Sequence, residues 1–389
     1  MRHFETLLTS SEPLFERQPT EFDGSSSPAL LAVALGATLY LPGTRRDLAS
    51  DLVKQFAAGV RSCVVCLEDA VPDDAVAAAE SHLVAQLRSL WSARPEPGLP
   101  LTFVRVRQAE QIGRLVGALG EAASLLSGFV LPKFTVDSGP PLLDALEAAQ
   151  PHARGRFLAM PVLESPEIVH LETRLEALLG VAKLLRSHRE SVLAVRIGAT
   201  DLASAFALRR SRDLTVYDVT LLADVIGDIV NVLGRAGQGF VVTGPVWEHF
   251  ADQDRLFRTQ LRQTPFVDHS ATDIRSELVR RSLDGLVREV TLDKAAGLVG
   301  KTVIHPSHVL PVHAMMAVTH EEFADAQDIV SMSESTGGVR ASTYNNKMNE
   351  AKPHRAWADR TMLRADAFGV LAPEVGFVEL FVAGLRLGN

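Results

Sequence analysis

Cysteine is nearly missing from this chain, with only Cys63 and Cys66 among 389 residues. They form a Cys-x-x-Cys string, the pattern of redox and zinc sites. Both readings are excluded. The string lies inside the β-type run Ser62 to Leu67, where alternation puts the two thiols on opposite faces. Zinc would need more ligands nearby than this pair supplies. The pair reads as buried free cysteine.

Positive charge is also scarce. The net charge is -8, with 22% charged residues. That balance offers no electrostatic footprint for nucleic acid or an anionic membrane surface. Long apolar runs are missing too. Met1 to Leu8 has no apolar stretch of the kind a signal peptide needs, and residues 29 to 42 are interrupted by Gly36 and Pro42 before they reach a membrane span. The expectation is a cytoplasmic protein with no nucleic-acid or membrane partner. A glycine fingerprint after the first strand is absent as well. The first strand runs instead into Pro42-Gly-Thr-Arg45, which argues against a dinucleotide-binding open sheet.

Apolar residues make up 47% of the chain, enough for a sizeable core. Residues 1–30 read as an N-terminal arm that ends in the loop Asp23 to Pro28. A strand–helix rhythm then begins. Strands are expected at Ala37–Leu41, Ser62–Leu67, Leu101–Arg107, Gly128–Lys133, Phe157–Leu163, Val192–Ile197, Gly239–Thr243 and Lys301–His305. Helical segments follow most of them, and a longer, mostly helical excursion is expected from Trp247 to about 298. Eight strands alternating with helices predict an α/β fold, a TIM (β/α)8 barrel over 31–331; an open doubly wound sheet is the alternative. Residues 332–389 break the rhythm, with a flexible break at Ser333–Gly338 and a polar stretch at 344–357, and predict a C-terminal helical extension.

In such a barrel the chemistry sits at the carboxyl ends of the strands. In order, those ends carry Pro42 and Gly43, Glu68 and Asp69, Arg105 and Arg107, Lys133, Glu164, Asp201, Thr243 and His305. Glu164 and Asp201 follow neighbouring strands, so their carboxylates can meet on one hard cation. Magnesium suits a few carboxylates completed by water and substrate oxygens. No histidines cluster near them, which argues against zinc. The other reading of Glu164 is a helix cap or a partner for an arginine. Glu68 and Asp69 either split acid and base roles or serve as an ion-pair partner and a helix cap. Arg105 and Arg107 share a face by alternation. Inward cations need anions, which a substrate carboxylate or the two acids would supply. Lys133 adds a third positive charge or pairs with an acid; nearby acids hold its pKa too high for a Schiff-base nucleophile. His305 either packs or takes part in the chemistry.

The motifs Leu39-Tyr-Leu-Pro-Gly43, Cys66-Leu-Glu-Asp-Ala-Val71, Val104-Arg-Val106, Leu131-Pro-Lys133, Glu164, Gly198-Ala-Thr-Asp-Leu202 and Gly300-Lys-Thr-Val-Ile-His-Pro306 occur in that order. Together they resemble citrate lyase β-subunit-like proteins of the HpcH/HpaI aldolase group, in a divergent carbon–carbon bond lyase branch. The resemblance implies a Mg2+-dependent lyase, or the reverse condensation, acting on a 2-oxo acid, a hydroxy acid or a CoA thioester through a metal-stabilised enolate. Glu164 and Asp201 would be the metal ligands. Arg105 would grip the substrate carboxylate with Glu68 and Asp69 beside it as catalytic groups. Arg107, Lys133, Pro42, Gly43 and His305 would complete the substrate site. The resemblance also implies a homo-oligomer. Relatives commonly have Asn where this chain has Arg107, so either the substrate is more anionic or an internal acid answers the added charge. Asn345, Asn346, Lys347, His354 and Arg355 either help to close an active-site mouth or belong to a polar tail. The alternatives in function are a class II aldolase acting on sugar-derived 2-oxo acids without CoA, and a non-catalytic binding protein that retains the barrel.

Overall fold

The computed structural model describes residues 1–9, 13–95, 98–153, 155–250, 283–332 and 338–387. The middle of the excursion expected after Trp247, residues 251–282, and most of the expected break, residues 333–337, lie outside them. Eight parallel strands form one sheet: β1 Ala37–Pro42, β2 Ser62–Cys66, β3 Leu101–Arg105, β4 Leu126–Leu131, β5 Leu158–Leu163, β6 Arg196–Ile197, β7 Gly244–Trp247 and β8 Lys301–Val303. Their spatial order is β6-β5-β4-β3-β2-β1-β8-β7. The seam between β6 and β7 closes through the parallel bridge Val195–Val242. There Val195 N donates to Val241 O and Thr243 N to Val195 O, both at 2.9 Å. The chain is thus a (β/α)8 barrel.

Its strands are apolar because both their faces are covered. Every residue of β2 and β5 is buried, as a parallel sheet flanked by helices requires. The helices present one apolar face inward. In Leu48–Ala57 that face is Leu48, Leu52 and Phe56, spaced four apart and buried. Truncating Leu52 to Ala would cost ~2–5 kcal/mol.

Two strands differ from the sequence expectation. Only Arg196 and Ile197 of the sixth segment form a strand, with Val192 held by a single bridge to Ala159. The seventh moves from Gly239–Thr243 to Gly244–Trp247. Its expected start is claimed by the turn that follows the helix Thr220–Leu233: Gly239 N donates to Arg235 O and Phe240 N to Leu233 O, both at 2.7 Å.

The chain divides into two compact units, Leu35–Val309 and Met1–Ala34 with Leu310–Asn389. The divisions drawn from sequence shift accordingly. The N-terminal arm joins the C-terminal extension, and residues 310–331 leave the barrel for that second unit. Pairing across the chain ends explains this. Phe15–Arg17 pairs antiparallel with Val370–Leu371. Phe323, Ala326 and Ile329 pack with Ala358 and Ala365 in two small apolar clusters. The polar 344–357 stretch enters a hairpin of Val339–Ala341 with Met348–Glu350 and then the helix Ala351–Phe368. Lys347 pairs there with Glu321 and Asp325, Asn346 donates to Glu321, and Arg355 pairs with Asp359. Asn345 has a positive φ of 54° and His354 Nδ1 accepts from Glu350 N. No helix among the described residues is long and apolar enough to cross a membrane.

Lys301 shows why part of the last-strand motif serves the fold. It is fully buried and pairs with Glu289 at 2.8 Å and Asp293 at 2.7 Å. Glu289 also accepts from Arg210 at 2.5 Å and Val216 N at 2.7 Å, and Asp293 from Tyr217 at 2.8 Å. Two acids thus meet two cations away from water. Gly300 before it has φ +69°, and a Cβ there would collide with Gly36 O. Lys301→Met leaves two buried acids with one cation and is expected to cost ~3–5 kcal/mol. Arg156→Ala, which removes the exposed pair with Glu190, should cost under ~1 kcal/mol. Urea unfolding of the two variants compares them; equal losses would remove Lys301 from the stability argument.

Candidate active site

The strand ends deliver their side chains to one cleft of about 480 Å3, lined by Pro42, Cys66, Asp69, Arg105, Glu164, Arg196, Asp201 and Thr302 among others. Glu164 stands at the end of β5, buried to 4% exposure. Asp201 lies in the first turn of the short helix Ala199–Ser204 after β6. The two carboxyl groups line the same cleft, close enough for the Asp201 charge to act on Glu164. Their approach depends on Gly198, where a Cβ would collide with Glu164 Oε2. Lys133 N donates to Glu164 Oε1 at 2.9 Å. To do so Lys133 adopts φ +46°, a left-handed conformation that non-glycine residues seldom take and that concentrates at functional sites.

Burial pushes Glu164 up to about 7 against the pull of Arg105, and the Asp201 charge adds to the rise. Burial also raises Asp201, helped by the Asp69 charge. Two acids that resist losing both protons are a site short of positive charge.

The second acid pair is answered from within. Arg105 pairs with both Glu68 and Asp69, and Lys133 Nζ pairs with Glu68 and lies 3.3 Å from Asp69 Oδ1. Glu68 Oε2 also accepts from Asp69 N at 2.9 Å. Glu68 is buried and Asp69 half exposed on the cleft side. Glu68 and Lys133 also line a second hollow of about 430 Å3, with Arg107, Gln108, Pro132 and Ser138.

Arg107 is the residue that most needed a structure. β3 ends at Arg105, so the shared face expected for Arg105 and Arg107 stops short of Arg107. Its guanidinium bonds Leu67 O at 2.9 Å, Glu68 O at 3.1 Å, Val71 O and Asp73 at 2.5 Å. It braces the loop that carries Glu68 and Asp69, and an internal acid answers its charge. His305 turns into its own chain: Nδ1 accepts from Ser307 N at 3.2 Å, and the ring stacks on Phe250 at 5.0 Å. The cleft wall beside it is Thr302 and Ile304. Gly43 N donates to Cys66 O at 2.8 Å, so it seats the β1 turn against β2 while Pro42 faces the cleft. Thr243 is buried. Both cysteines are free and buried, and burial pushes the Cys63 thiol up to about 12 and raises Cys66. Sequence reasoning missed Arg196 and Tyr40 in the cleft wall. A lone cation inside Ala194-Val-Arg-Ile197 was the available signal.

Among the described residues no group of three or more His, Cys, Asp or Glu side chains forms a metal site. That leaves the Glu164–Asp201 pair. Two carboxylates in a water-filled cleft fit a hard cation that keeps water and substrate oxygens in its shell, and do not fit a closed zinc site.

A (β/α)8 barrel with an acid pair and an acid–cation bridge at its strand ends has the layout of an enzyme. The chain belongs to the C–C bond lyase family of the TIM-barrel fold, whose profile matches residues 29–370. It is similar in structure to CitE from Mycobacterium tuberculosis, determined in complex with magnesium, acetoacetate and coenzyme A. That protein is 19% identical over 86% of this chain and 99% of its own, at TM-score 0.51. A citrate lyase from Burkholderia xenovorans LB400 is 16% identical over 91% of this chain and 96% of its own, at TM-score 0.61. At these identities the likeness is one of fold. No protein of curated function matches the sequence.

Arg107→Ala should release the 67–73 loop and lower kcat/KM at least tenfold for any substrate turned over, through kcat more than KM, because the acids lose their placement. Added guanidinium should restore part of the loss. A raised KM with unchanged kcat would instead make Arg107 a substrate contact.

Proposed function

We propose that the protein is a Mg2+-dependent lyase that breaks, or in reverse forms, a carbon–carbon bond in a 2-oxo acid, a hydroxy acid or an acyl-CoA adduct. The observation that carries this reading is the placement of Glu164 and Asp201, from neighbouring strand ends, in the same cleft as Arg105 and Asp69. The relative from M. tuberculosis, with its magnesium, acetoacetate and coenzyme A, supports the choice of metal and of a CoA-linked substrate. Glu164 and Asp201 would hold the ion, which when bound supplies Lewis-acid stabilisation of the charge developing on a substrate oxygen.

The chain's own residues do the rest. Gly198 leaves room for Glu164, and the strained Lys133 backbone orients it. Arg105 holds Asp69 at the cleft edge, where Asp69 Oδ1 or Oδ2 can give or take the proton that bond cleavage or condensation requires. Glu68, fixed by Arg105 and Lys133, keeps that pair in register. The homo-oligomeric state and the cytoplasmic location expected from the sequence belong to the same proposal; light scattering on the full chain reads the first.

Titration calorimetry tests the metal site. Glu164→Gln and Asp201→Asn are each expected to weaken Mg2+ binding at least tenfold and to abolish turnover of a panel of 2-oxo acids and CoA adducts. Full Mg2+ affinity in both variants would sink the assigned ligands. Binding without product across the panel would favour the non-catalytic alternative.

The pH dependence follows in sign. Glu164 holds a proton below about 7, and the ion must displace it. Mg2+ affinity should therefore fall by up to ~10-fold per pH unit below that point and level off above it. Affinity that stayed flat between pH 5.5 and 8 would contradict a ligand role for Glu164.

A further inference from the structure

Arg196 is 1% exposed, yet it lines the cleft with Tyr40 and Thr302. Its guanidinium is surrounded by neutral groups. Nη2 donates to Thr302 Oγ1 at 2.6 Å, and Nη1 lies 3.4 Å from Thr38 Oγ1 and 3.6 Å from Met160 Sδ. The Tyr40 ring stands 5.4 Å from the guanidinium carbon. Nε has no hydrogen-bond partner. Among the described residues no carboxylate pairs with Arg196, and the charged neighbour it feels besides Tyr40 is another arginine, Arg105.

A buried guanidinium without a counter-charge is a standing cost to the fold. Arg105 is in the opposite condition, already paired with Glu68 and Asp69. Among the described residues lining the cleft, Arg196 is therefore the cation that lacks an anion. Its planar fork suits a carboxylate, and the Tyr40 and Thr302 hydroxyls can turn toward the same ligand.

We infer that Arg196, with Tyr40 and Thr302, receives a second carboxylate of the substrate, so that the cleft selects dicarboxylic over monocarboxylic acids. The inference rests on the proposed metal site for the other end of the substrate. Charge supports it. The four acids Glu68, Asp69, Glu164 and Asp201 against Arg105 and Lys133 leave two negative charges. A divalent ion cancels them, and Arg196 then leaves the cleft positive, as an anionic ligand requires.

Calorimetry on the full-length protein tests this in two arms. In EDTA, succinate is compared with acetate; in Mg2+, oxaloacetate is compared with pyruvate. In Mg2+ wild type should bind oxaloacetate about tenfold or more tightly than pyruvate; in EDTA succinate and acetate should both bind through Arg196. Arg196→Met should lose about 10- to 100-fold in oxaloacetate affinity in Mg2+, and in succinate affinity in EDTA, while pyruvate and Mg2+ affinities hold. Its melting temperature without ligand should not fall, because an uncompensated charge has been removed. Tyr40→Phe and Thr302→Val, which keep the guanidinium, should weaken succinate several-fold and guard against a folding defect. An unchanged preference for oxaloacetate in Arg196→Met, or a lowered melting temperature with equal loss of oxaloacetate and pyruvate, would make Arg196 a structural strut and overturn the inference. The EDTA arm contains no metal, so failure of the metal reading and failure of this one give different results.

Discussion

Charge at the barrel mouth is the constraint on which the rest depends. Four carboxylates, Glu68, Asp69, Glu164 and Asp201, come within reach of one another, and Arg105 and Lys133 are the cations placed among them. Two acids are thereby neutralised and two are not. Both acids of the uncompensated pair are raised above their ordinary values because they are taken out of water beside other negative charge. The divalent cation of the proposed function would remove this imbalance while leaving coordination positions for substrate oxygens. The arrangement is matched to the chemistry of the C–C bond lyase family, in which negative charge must be stabilised as a carbon–carbon bond breaks.

Holding those acids in place occupies much of the surrounding chain. Arg107 gathers three carbonyls and Asp73 to brace the loop behind Glu68 and Asp69. Gly198 and the left-handed Lys133 shape the contact to Glu164. Farther from the cleft, Lys301 neutralises Glu289 and Asp293 and ties β8 to the helix Asp284–Ala295. Several residues of the strand-end motifs thus act on geometry, at a distance from the reacting atoms. That division matters for the further inference about Arg196, which is buried like Lys301 but, among the described residues, has no such acid.

Much of this was legible in the linear chain. Parallel strands covered on both faces must be apolar, so each stands out as a short run, and the charged residue that ends it marks the barrel mouth. Glu164, Asp201, Glu68, Asp69, Arg105 and Lys133 were identified in that way, and the order of their motifs pointed to the family. Other features were not legible because local pattern carries no information about partners far along the chain. Phe15–Arg17 pairs with Val370–Leu371 across nearly the whole sequence, so the arm and the extension looked unrelated. Alternation predicted that Arg105 and Arg107 point the same way, but alternation holds only while the strand lasts, and β3 stops at Arg105. The assignment of each cation to its acid was decided by side-chain reach between neighbouring strands, which is a property of the closed barrel. Residue type and spacing therefore marked most of the charges that meet at the mouth; the tertiary fold brought in Arg196, turned Arg107 and His305 away, and decided which charges cancel.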